Sequence, residues 1–106
     1  MDLTREEALK LHRQMWTDMQ KELGDCPEFS DRLLYKSRWR KKRFPKEEVN
    51  ADCFLCEYAA HKTGDCRGCP INWGGDTCQK YNIKNGVDWR YSPISEILAL
   101  PEREDV

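Results

Sequence analysis

Six cysteines punctuate a chain of 106 residues, and four of them form two C-x-x-C pairs: Cys53-Phe-Leu-Cys56, nine residues, then Cys66-Arg-Gly-Cys69. A C-x-x-C knuckle points both sulfurs inward, and two knuckles brought together offer a tetrahedral thiolate set that suits Zn²⁺. Zinc prefers thiolate and has no redox chemistry, so a structural Zn²⁺ on Cys53, Cys56, Cys66 and Cys69 is the expectation. Cys78, nine positions after Cys69, is an alternative fourth ligand. The set Cys53, Cys56, Cys69 and Cys78 leaves Cys66 as a spare thiol. His61 is a weaker candidate again. Iron is a second possible occupant of four thiolates. Cytosolic thiols stay reduced, which argues against a disulfide framework, and a thioredoxin-type pair lacks its βαβ setting. Four or five thiolates close a site, whereas a catalytic zinc keeps one position open. Cys26, beside Pro27, reads as a small buried hydrophobe.

The second chemical signal is a block of cations. Residues 32–46 hold eight basic side chains and no acid, and Lys36, Arg38, Arg40, Lys41, Lys42 and Arg43 surround Trp39 within eight positions. Such a cluster attracts a phosphate backbone by releasing counterions, and Trp39 can stack on an unpaired base. It can equally dock on an acidic protein face, or pair with the acidic flanks of its own chain. Residues 1–31 carry four basic and eight acidic groups, and 47–106 carry six and eleven. The formal net charge of −1 is therefore a cancellation between blocks, which excludes a uniformly basic nucleic-acid coat.

Enzyme signatures are missing. The chain has no P-loop, no G-x-S-x-G and no H-E-x-x-H. His12 and His61 are its two histidines, neither in the setting of an HNH nuclease, and Pro70 follows its C-x-x-C pair where a deaminase has the proline before it. A non-enzymatic protein is expected.

These groups need elements to hold them. Thr4 and Glu7 form a capping box for a helix over about 5–23, with Ala8, Leu9, Leu11, Met15, Trp16, Met19 and Leu23 on one arc. Gly24 and Pro27 end it. His12 lies in the apolar arc, as a core histidine with a backbone partner or, less often, a metal ligand. Ser30 or Asp31 caps a second helix that packs through Leu34, Tyr35 and Trp39 and stops before Pro45. Residues 50–82 read as knuckles and tight turns, with a short helix over Glu57–Lys62, and Asn72-Trp73-Gly74-Gly75-Asp76 follows the second pair. In the last segment, 83–106, Ser92-Pro93 starts a final turn or two through Ile94, Ile97 and Leu98, and 102–106 is a frayed acidic tail.

One domain of 1–106 fits the length. A mean hydropathy of −0.90 and 39% hydrophobic residues imply a thin core that needs reinforcement. The fold class expected is a small α+β, mainly α, metal-stabilised domain: a long N-terminal helix packed on a zinc-knuckle or zinc-ribbon-like cysteine module. No apolar run approaches the ~18 residues of a membrane span, and MDLTREEALK is the reverse of a secretory signal, so a soluble cytoplasmic protein without a membrane partner is expected.

EALKLHRQMW, CFLCEYA, CRGCPINWGG and the later Cys78 resemble a group of small tailed-bacteriophage proteins, over most of the chain. The resemblance implies a metal on Cys53, Cys56, Cys69 and Cys78, or with Cys66 in place of one. It also implies life in the reducing cytoplasm of an infected bacterial host. Phage accessory proteins of this size often bind a host or defence protein, which makes such a partner the expectation and nucleic acid the alternative.

Overall fold

Thr4 opens the first helix as a reciprocal cap: its hydroxyl accepts from the Glu7 N–H and the Glu7 carboxylate accepts from the Thr4 N–H, both at 3.2 Å. The computed structural model describes residues 3–45, 54–55, 58–59, 69–73 and 87–103. Helix α1 spans Arg5–Leu23 and buries Ala8, Leu9, His12, Met15, Trp16 and Met19. Leu11 is half-buried, and Leu23, the last residue of the expected arc, is exposed. Gly24 ends the helix at φ +89°, ψ −179°, a backbone that L side chains rarely adopt.

Helix α2 spans Phe29–Arg43 and stops at Phe44, ahead of Pro45. Its N-cap is Glu28, without a side-chain hydrogen bond, so neither Ser30 nor Asp31 serves as the expected cap. The buried residues of α2 are Arg32, Lys36 and Trp39. Leu34, expected to pack, is 53% exposed, and Tyr35 is half-buried.

Helix α3, Ile94–Leu98, buries Ile94 and Ile97 and follows Pro93. Its N-terminal donors are taken by a residue far away in sequence. The Asp25 carbonyl accepts from Ile94 N–H at 2.7 Å, and its carboxylate accepts from Ser95 N–H at 2.8 Å and Ser95 Oγ at 3.0 Å. Ser92, the expected cap, instead accepts from the Asp88 N–H. Both α2 and α3 pack on α1.

Residues 69–73 run antiparallel to 101–103. Asn72 N–H donates to the Pro101 carbonyl at 2.9 Å and Arg103 N–H to the Pro70 carbonyl at 2.7 Å, around a single Ile71–Glu102 bridge. Glu102 then takes Arg5 and Arg13 of α1 at 3.0 Å each. The start of the expected frayed tail is thus held to the first helix; 104–106 lie outside the described residues.

The expected fold class is corrected by these findings. Among the described residues the protein is helical, without a strand, and one isolated bridge does not make a sheet. No group of three or more His, Cys, Asp or Glu side chains among them is placed to hold a metal. The physical reason is the makeup of the core, which is one cluster of apolar and aromatic side chains. Leu9, Met15, Trp16 and Met19 of α1 meet Trp39, Ile94 and Ile97, together with Phe54, Leu55, Tyr58, Ile71 and Trp73. Residues 54–55 and 58–59 have helical backbone, and the rest of Glu57–Lys62 lies outside the described residues, as does most of 50–82. No described helix is long and apolar enough to cross a membrane.

Candidate functional site

Of the cysteines expected to bind metal, Cys69 is described: it is buried in the core beside Pro70 and Ile71. Cys53, Cys56, Cys66 and Cys78, together with His61, lie outside the described residues. Phe54 and Leu55, the two residues inside the first C-x-x-C pair, belong to the same core cluster as Cys69. Cys26 is exposed, a correction to its expected burial: it sits in the turn between α1 and α2, where Asp25 rather than the thiol faces α3.

His12 is the polar group that sequence alone underrates. It is 2% exposed, its ring edge-to-face with Trp16 at 6.4 Å and Trp73 at 6.1 Å. Among the described residues neither ring nitrogen has a hydrogen-bond partner, so the expected backbone contact is not made, and the Trp73 indole N–H is likewise unpaired. Burial, reinforced by the nearby positive charges of Lys36 and Arg13, pushes its pKa down to about 3. The ring is therefore a neutral imidazole at physiological pH, the form that binds metals. A buried thiol and an orphaned neutral imidazole in one core fit a thiolate-preferring metal such as zinc.

The cationic block divides between two faces of α2. Lys36 turns inward, with its ammonium 3.8 Å from the Trp89 ring centroid and 5.8 Å from that of Trp16. Trp39 is 8% exposed and donates its indole N–H to Asp18 at 2.9 Å; Phe54 meets its ring edge-on and Arg43 stacks over it at 4.4 Å. That corrects the expectation for both residues: Trp39 presents no face to a base, and Lys36 presents no charge to a phosphate. Arg40 is half-buried, while Arg38, Lys41, Lys42 and Arg43 are exposed.

One more cation, Arg32, lies fully inside. Its Nε donates to the Pro27 carbonyl at 2.9 Å, and its Nη1 donates to the carbonyls of Trp89 and Ser92 at 2.9 and 2.7 Å. Desolvation lowers its pKa, yet the guanidinium stays charged because its ordinary value is so high. Arg32 and Lys36 thus fasten α2 to the 87–92 turn, which Asp88 shapes by accepting from Arg90 at 2.8–3.0 Å. The four-residue spacing of Arg32 and Lys36 on the face of Trp39 is the sequence signal for this, but a pattern scored on hydrophobicity passes over it.

Between the C-terminal half of α1 and α2 runs a groove of about 460 Å³, with Asp18 and Glu22 on one wall and Arg38, Lys42 and Arg43 on the other. Arg43 reaches Asp18 at 3.9 Å. Burial, together with the neighbouring carboxylates of Glu22 and Asp18, pushes the Tyr35 phenol up to about 12. Part of the block is therefore matched by acids of its own chain. Outside the groove, Leu34 and Lys41 share one helix face, with Arg38 between them at the groove's edge. No family model, curated protein or solved structure matches the chain.

Proposed function

We propose that this is a non-enzymatic, zinc-binding phage accessory protein that docks through the outer face of α2 onto an acidic patch of a host or defence protein in the infected bacterium. The observation that carries the docking face is Leu34, 53% exposed and in line with Arg38 and Lys41. A large exposed apolar side chain followed by cations on the same helix face matches a protein surface that pairs an apolar patch with acidic groups. A nucleic-acid ligand gains nothing from Leu34, and the aromatic that would stack on its bases is buried. For the metal, the two C-x-x-C pairs carry the reading, with Cys53, Cys56, Cys66 and Cys69 as ligands and Cys78 as the alternative fourth. Support comes from Cys69 and the residues inside the first pair sharing one core.

The test is a photo-crosslinking residue placed at position 34 in the full chain, with a control at the exposed Lys10 of α1, in bacteria of the phage's host range. The expected result is a discrete protein adduct from position 34. It survives nuclease, is absent from position 10, and is lost in the Arg38→Glu/Lys41→Glu variant. An adduct that nuclease removes assigns the face to nucleic acid and overturns the reading. Equal labelling from both positions overturns it as well.

A further inference from the structure

We infer that His12 supplies a nitrogen ligand to the thiolate-bound metal, making the site a mixed sulfur and imidazole centre rather than an all-cysteine one. This rests on the metal-binding reading above. Burying polar nitrogens without partners is unfavourable, and phenylalanine or leucine would fill the space between Trp16 and Trp73 without that cost. An imidazole held there with both nitrogens unpaired among the described residues is a donor set waiting for an acceptor.

Position agrees. Trp73, whose ring meets His12 at 6.1 Å, lies four residues after Cys69, and all three side chains are buried in the same interior. Charge agrees as well. Lys36 is 6% exposed, and among the described residues it has aromatic faces but no carboxylate for company. A lone dication beside that ammonium would be repelled. Zn²⁺ with three thiolates and one neutral imidazole carries a net negative charge, which compensates Lys36 instead. The buried lysine and the orphaned histidine are two separate observations that one centre explains. Five cysteines other than Cys26 are available to supply the three thiolates.

The test is Co²⁺ loading of the full chain, read by absorption, in the parent and in His12→Cys and His61→Gln. The parent is expected to bind one Co²⁺ with the spectrum of three thiolates and one imidazole, and His61→Gln to match it. His12→Cys is expected to keep the metal while its thiolate-to-cobalt charge-transfer band rises by about one third, as the sulfur count goes from three to four. An unchanged spectrum in His12→Cys, or a change in His61→Gln instead, overturns the assignment while leaving the metal in place. No Co²⁺ uptake by the parent overturns the metal reading itself. Should His12→Cys fail to fold, zinc K-edge X-ray absorption of His61→Gln decides. Outer-shell imidazole scattering supports His12, and its absence refutes it.

Discussion

Helices α1 and α2 lie against each other and are built on opposite chemistries. The inner face of α1 is apolar apart from His12: Ala8, Leu9, Met15, Trp16 and Met19. The inner face of α2 is Arg32, Lys36 and Trp39, while Leu33 and Leu34 stand 45% and 53% exposed. The first helix is held by displacement of water from hydrocarbon. The second is held by cations whose partners are carbonyl oxygens and indole faces, groups that accept positive charge without being charged themselves. Burying its cations frees α2 to present leucine and a different set of cations to the outside. The same composition that obscures its inner face leaves a leucine and cations exposed on its outer face.

The largest expected effect falls on α1. Trp16→Ala removes a 1% exposed indole and should cost about 3–5 kcal/mol in denaturant unfolding, lowering Tm by well over ten degrees. Arg32→Leu sharpens the contrast. Leucine is the more hydrophobic side chain, so if α2 followed the logic of α1 the variant would gain stability. The carbonyls of Pro27, Trp89 and Ser92 are instead left without their donor, and a loss of about 3 kcal/mol is expected by the same measurement. Lys36→Met keeps the length of the stem and removes the cation–π contact, for an expected loss of about 1 kcal/mol. An unchanged midpoint would show that the Lys36 ammonium contributes no net stability.

The smallest effect concerns Glu102, which ties the chain end to α1. The hydrogen bond from Arg13, with that from Arg5, holds its carboxyl below the ordinary carboxylate range. A group depressed in the folded state adds stability above its unfolded pKa and loses it as pH falls through that value toward the folded one. Glu102→Gln is therefore expected to narrow the fall in Tm between neutral and acid pH. Both partners are largely solvent-exposed, so the change at neutral pH should be slight.

Much of α1 was legible in the sequence because each of its signals is local. Thr4 and Glu7 stand three residues apart, the apolar arc repeats at helical spacing, and Gly24 closes it. The span of α2 was legible through Pro45, but its orientation was not. Which side of a helix faces inward depends on what lies opposite, and the carbonyls of Trp89 and Ser92 are more than fifty positions away. The cap of α3 fails for the same reason, since Asp25 reaches it from 70 positions earlier, in the turn between α1 and α2. At the candidate site, the cysteine spacing is the reason to expect a metal, and it does not say which sulfurs would hold one. The unpartnered state of His12 becomes visible only once Trp16 and Trp73 enclose it.

Arg32, Lys36 and Trp39 lock α2 to the core and leave its outer face exposed. Native-state amide hydrogen exchange measures that directly. The amides of residues 36–40 should be protected to the same order as those of 12–19 in α1, because the two helices open together. If the amides of α2 instead exchange many times faster while α1 stays protected, α2 is a loosely attached basic helix and the division of its faces is contradicted.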